Sequence, residues 1–243
     1  MSRKNNAILA IGALAAFGFA SSAFAQCPDS PTPPWSGVTQ TQGAVAISEG
    51  GYDGTSCKLD TSYNAGASSF GAAAVRDDTP ANEARYRAQF LINASDVVNQ
   101  QGFASTQIFS ATSADLNANT RSIVRLALSG GNPKSLSIIA ANEGAPNNVT
   151  TTTLPLTGGD GDTHRIEIDL TLGEAGSLSV WVNNTNEGDA DVTLSDLDND
   201  GWVGVDSAFL GLAAGNNLFR QNHAGQVVSF DEFDSRRQSF IGE

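Results

Sequence analysis

The stretch THRIEIDLTL (residues 163–172), followed by GEAG (173–176) and SLSVWVN (177–183), reads as two strands and the turn that joins them. Ile166, Ile168, Leu170 and Leu172 alternate with Arg165, Glu167, Asp169 and Thr171, and Leu178, Val180 and Val182 alternate with Ser179, Trp181 and Asn183. Successive side chains of a strand point to opposite faces, so each arm of this hairpin has one apolar and one polar face.

The same pattern recurs on both sides of the hairpin. Upstream, Tyr86, Ala88, Phe90 and Ile92 alternate with Arg85, Arg87 and Gln89. Val124, Leu126 and Leu128 mark the inward face of a further strand, which Gly130-Gly131-Asn132-Pro133 turns into Leu136, Ile138 and Ala140. Shorter strands are expected within 43–60, at 70–76, at 103–110 and at 192–194, with an edge strand at 150–156 whose threonine hydroxyls are exposed. A polar connection is expected at 111–120. The last two strands fall at 202–212 and 226–233, separated by a flexible Ala214-Gly215-Asn216-Asn217 segment. About a dozen closely spaced strands, with hardly any helical periodicity, predict an all-β, two-sheet antiparallel β-sandwich. No repeat and no shift in composition divides it, so 43–237 is expected to be a single domain.

The ends are read differently. Arg3 and Lys4 precede an apolar run from Ala7 to Ala20, and Ala23-Phe24-Ala25 supplies the small-x-small pattern of a signal-peptidase site. The run is short of the ~20 residues that a spanning helix needs. Residues 1–25 are therefore expected to be a signal peptide cleaved after Ala25, giving a secreted or periplasmic chain with no membrane span in its mature part. Gln26 precedes Cys27 where a lipoprotein signal has a small residue. Residues 26–42 are rich in proline and form an extended lead-in, and 238–243 form a C-terminal tail.

Thirteen basic residues stand against 26 acidic ones, a formal charge of -13 that becomes more negative once Arg3 and Lys4 are removed. Nucleic acid and anionic lipid need a basic footprint and are poor partners; no nucleic-acid partner is expected. Cys27 and Cys57 are the only cysteines, and in an oxidising compartment they are expected to form one disulfide tying the lead-in to the first strands.

Several stretches together resemble the secreted concanavalin A-like lectin/glucanase superfamily in its LamG-like branch. They are DTPANEARYRAQF (78–90), VWVN (180–183), VDSAFLGL (205–212) and SFDEFDS (229–235). The resemblance implies a jelly roll of two curved sheets, with ligands on the concave face or its rim. It says little about activity, because the superfamily includes sugar binders, glycosidases and peptide-binding modules.

Three constellations could carry chemistry. Glu167 and Asp169 lie two apart on one strand, so both carboxylates share a face, as in a glycosidase. Laminarinase-like members of the superfamily carry a further Glu on that strand, where this chain has Thr171 and Leu172. Cross-strand ion pairing of the two carboxylates with Arg165, Arg125 or Arg87 is therefore preferred. Trp181 stands on the polar side of its strand, where a sugar ring would stack or a loop or the lead-in would cover it; covering is preferred. Asp196-x-Asp198-x-Asp200-Gly201 resembles the opening of a calcium loop, but residue 207 is serine where an EF-hand has glutamate, and a plain turn is preferred. Structural calcium at these aspartates is the single cofactor the sequence points to.

If every strand keeps its alternation, Arg85, Arg87, Arg125, Arg165, Glu167 and Trp181 share one face. The expectation is a non-catalytic carbohydrate-binding or surface-interaction module, not an enzyme, whose partner is a glycan or cell-surface polymer. A glycoside-active enzyme using Glu167 and Asp169 is the alternative, and a structural envelope protein is a third.

Overall fold

The computed structural model describes residues 27–98, 103–115, 119–142, 148–157, 163–236 and 238–242. The expected signal peptide lies outside them. Within the described residues, fourteen strands, numbered along the chain, form two seven-stranded sheets. One runs in the order β1 (Gly37–Thr41), β4 (Ala72–Asp77), β13 (Trp202–Ala213), β6 (Ser105–Asp115), β7 (Thr120–Ser129), β8 (Ser135–Ala141) and β9 (Val149–Pro155). The other runs β12 (Val192–Leu194), β11 (Ser177–Val182), β10 (Thr163–Thr171), β5 (Arg85–Asn93), β14 (Val228–Arg236), β3 (Cys57–Tyr63) and β2 (Gly43–Glu49). Neighbouring strands are antiparallel throughout. This is the expected all-β sandwich.

Alternation builds the core. Ile166, Ile168 and Leu170 of β10, Ala88, Phe90 and Ile92 of β5 and Leu178 and Val180 of β11 are buried against Leu126, Leu128, Leu136 and Ile138 of the opposite sheet. Phe90 joins the layers: its ring stacks on Phe109 of β6 at 5.5 Å and meets Phe230 of β14 at 6.1 Å.

Three local expectations are corrected. The lead-in contains an edge strand, since β1 pairs with β4 from Gly37↔Arg76 to Thr41↔Ala72. The connection expected at 111–120 is strand as far as Asp115. A bulge between Ala111 and Thr112 interrupts the alternation, and small side chains such as Ser113, whose hydroxyl accepts from the Gly204 N–H at 3.1 Å, replace the large apolar ones. The segment after Ala213 forms a helix, α1 (Asn217–Asn222), capped by the Asn216 side chain accepting from the Phe219 N–H. Six residues are too few to show helical periodicity in sequence.

The disulfide is present. Cys27 and Cys57 are joined, tying the lead-in to the start of β3.

Candidate functional site

Because the apolar residues of β5, β10 and β11 point into the sandwich, their polar residues rise together on the outer face of the sheet. The register fixes the rows. Arg87, Asp169 and Ser179 lie abreast; Gln89, Glu167 and Trp181 form the next row; Leu91 and Arg165 follow. Directly opposite residues lie close enough for their side chains to interact.

Asp169 is the hub of the first row. Arg85 donates to it from Nε at 3.0 Å and Nη2 at 2.6 Å, and Arg87 Nη2 donates to its Oδ2. Burial alone would push the Asp169 carboxyl up, but the hydrogen bonds and charges of Arg85 and Arg87 outweigh it and hold the group below the usual carboxylate range. The Arg87 side chain is 2% exposed. Its Nη1 donates to Glu187 Oε1 at 3.0 Å and lies 3.7 Å from Glu167 Oε1, and its guanidinium sits over the rings of Trp181 and Phe240. The Arg87 Nε has no hydrogen-bond partner among the described residues. Buried ion clusters contribute little net stability, and groups held this way concentrate where chemistry is done.

The second row is capped by the segment 238–242. The Ile241 N–H donates to Glu167 Oε1 and the Gly242 N–H to Glu167 Oε2, each at 3.0 Å. Arg165 Nη1 donates to the Gly242 carbonyl at 3.1 Å. The hydrogen-bond network assigns the orientation of the Gln89 amide. Its nitrogen donates to the same carbonyl at 3.0 Å and to Glu167 Oε2 at 3.2 Å, and its oxygen accepts from Arg165 Nη1 at 3.0 Å. Two donors on neighbouring strands thus converge on one oxygen, beside a carboxylate. Phe240 packs against Trp181 with ring centroids 5.4 Å apart, and the Trp181 Nε1–H donates to the Glu187 carbonyl at 3.2 Å.

Of the residues expected on one face, Arg85, Arg87, Arg165, Glu167 and Trp181 are brought together, and Arg125 is not. It lies on β7 in the opposite sheet, level with Ser110 and Ile139, because alternation fixes the face of a strand but not the sheet it joins. Trp181 is only 4% exposed, covered by the Glu187 loop and Phe240. Gln89 was visible in the alternation of β5. Glu187 and the segment 238–242 belong to irregular chain and gave no periodic signal.

Asp196, Asp198 and Asp200 fall in the turn between β12 and β13, where Asp196 and Asp198 adopt positive φ. This turn packs on the β10–β11 connection, with Asn199 Oδ1 accepting from the Gly173 N–H at 2.8 Å. Among the described residues no three His, Cys, Asp or Glu side chains are grouped to hold a metal ion.

A cavity of about 530 Å³ lies elsewhere, between the lead-in and β14, lined by Pro34, Trp35, Asp77, Asp231 and Phe233 among others. Its wall contains none of the Arg87 cluster. Asp77 is engaged by Thr79 and Asp231 by Tyr52 and Glu232. This hollow and the densest chemistry do not coincide, and the chemistry identifies the site.

Compared with protein-family models and with curated proteins, the chain matches none. Solved structures do share its fold. An endo-β-1,4-glucuronan lyase from the fungus Trichoderma reesei superposes with a TM-score of 0.65 at 16% identity, over 90% of this chain and 97% of that one. The alginate lyase Aly36B gives 0.57 at 13% identity, over 81% and 85%. A family 7 alginate lyase in complex with substrate gives 0.54 at 12%, over 85% and 86%. The fold is therefore the jelly-roll β-sandwich of the concanavalin A-like kind, in a form also found in polysaccharide lyases. These likenesses correct the expectation of a non-catalytic module without enzyme activity. The three solved structures named above are lyases, and the polar face of this chain holds a buried charged cluster in place of an open aromatic platform.

Proposed function

We propose that this chain is a polysaccharide-cleaving enzyme that acts on a uronate-containing polymer by β-elimination at the Gln89, Arg165 and Glu167 site. One observation carries the reading. Arg165 and Gln89 aim two donors at a single oxygen next to the Glu167 carboxylate, which is the arrangement that proton abstraction α to a carboxyl group requires. The names of the solved polysaccharide lyases that share the fold favour the same substrate class.

In this mechanism the uronyl carboxylate takes the place of the Gly242 carbonyl. Arg165 and Gln89 hold it, neutralising charge as it builds on the carboxyl oxygens. Glu167, freed of the backbone N–H groups, takes the proton from C5. The C5–H electron pair becomes the C4=C5 double bond, the C4–O bond breaks, and the proton on Glu167 passes to the leaving oxygen. One residue serves as base and then acid, so no second free carboxyl is required. Asp169 is unsuited to act as a glycosidase nucleophile, because Arg85 and Arg87 occupy both its oxygens. With Arg87 it braces Glu167 from the next row.

The test is to incubate the full chain with saturating polyglucuronate or alginate, and with the carboxyl-reduced polymer, while following the ultraviolet absorbance of the conjugated double bond. Absorbance should rise only with the uronate polymers. Release of reducing ends without that absorbance, or equal cleavage of the reduced polymer, would overturn the elimination reading.

A further inference from the structure

The segment 238–242 satisfies Glu167 with two N–H groups, fills the Arg165–Gln89 donor pair with a carbonyl and lays Phe240 on Trp181. Each partner is one that a bound polysaccharide would need: the base, the carboxyl-holding donors and the aromatic ring. The contacts are made by backbone groups and one ring. They need a turn that Gly242 provides by adopting φ of +70°, where a Cβ would also come within 3.2 Å of the Phe240 ring. Glu167 is buried beneath the segment and Gly242 within it, while Gln238 and Ser239 stay exposed, so the strap lies on the sheet from the solvent side and adds no strand to it.

We infer that Phe240, Ile241 and Gly242 form a displaceable, substrate-mimicking plug that keeps the site closed until a polymer competes it away. This rests on the elimination site proposed above and adds its regulation. Substrate and plug cannot occupy the donor pair together, so the free site is the minor state and apparent affinity falls by the fraction of molecules that are open. An equivalent peptide should bind to the emptied site, because the contacts depend on no covalent connection.

The experiment compares the full chain with one ending at Gln238 and with Phe240→Ala in the full chain. Exposure of Trp181 is read as acrylamide quenching against a Trp181→Phe control, and the synthetic peptide Ser-Phe-Ile-Gly-Glu is added in trans. The shortened chain should remain folded, quench more strongly and bind an oligouronate at least about tenfold more tightly, a minor open population of 10% or less implying that factor. The peptide should reverse both changes, and Phe240→Ala should shift both part of the way. Loss of the cooperative melting transition on shortening, unchanged quenching in both variants, or a peptide without effect would overturn the plug and make the segment a structural part of the sheet. If Trp181 opens and the peptide rebinds, yet neither chain binds or cleaves any polyuronate, the plug stands and the catalytic reading fails.

Discussion

Glu167 carries the account at the scale of single residues. A general base typically contributes a hundredfold or more to rate, so Glu167→Gln should lower kcat on a polyuronate by about 100-fold or more while circular dichroism remains that of an all-β chain. Asp169 makes a different prediction. Its folded pKa is depressed, so the stabilisation it gives is fully present above the unfolded carboxylate value of about 4 and is lost as pH falls through the lower folded value. The wild-type melting temperature should therefore drop steeply below about pH 4. Asp169→Asn should flatten that limb and, by taking from the buried Arg87 the carboxylate that its Nη2 binds, cost about 3 kcal/mol at neutral pH. An unchanged acid limb in the variant would contradict the assignment. These residues were partly legible in sequence. Alternation placed Glu167, Asp169, Arg85, Arg87 and Arg165 on one face, and pairing of the carboxylates with arginines was preferred. That Asp169 would bind both Arg85 and Arg87, and that Glu167 would accept from the Gln89 amide and from the backbone N–H groups of Ile241 and Gly242, depends on register and on a distant segment, neither of which alternation encodes.

Among the elements, β5, β10 and β11 were readable because long apolar and polar residues alternate without a break. The sequence pattern of β6 stops short of the strand's end because its bulge and small residues interrupt the alternation, and α1 leaves no trace in the pattern because one short helical turn has no period. Arg125 was misplaced for a related reason: the hairpin of β7 and β8 was recognised, but nothing in its own sequence states which sheet it enters. The lead-in is held by the Cys27–Cys57 bond, which closes a loop of sequence separation 30. Replacing both cysteines by serine should lower unfolding free energy by about 3.6 kcal/mol in the chain-entropy model, measured by urea titration. A loss confined to local proteolysis of the lead-in, with the global midpoint unmoved, would show that the tie acts on β1 alone.

For the whole molecule, the two-sheet sandwich was legible and the activity was not, because function depends on a site placed on the fold and the same fold carries many sites. The net charge adds a constraint of its own. A chain with formal charge -13 repels a polyuronate at long range, so capture depends on short-range contacts at Arg165 and Gln89. Raising salt from about 10 mM to about 150 mM shortens the Debye length from roughly 30 Å to 8 Å. Cleavage at limiting substrate should therefore become faster, the reverse of what a basic polyanion-binding surface shows. A steep fall over that range would place the binding footprint elsewhere. The most direct measurement is the mass of the oligosaccharides released from a uronate polymer by the wild-type chain and by Glu167→Gln. The account predicts fragments lighter by one water than hydrolysis products, formed by the wild type and nearly absent with the variant. Fragments of hydrolytic mass, or unsaturated fragments formed equally by both proteins, would contradict it.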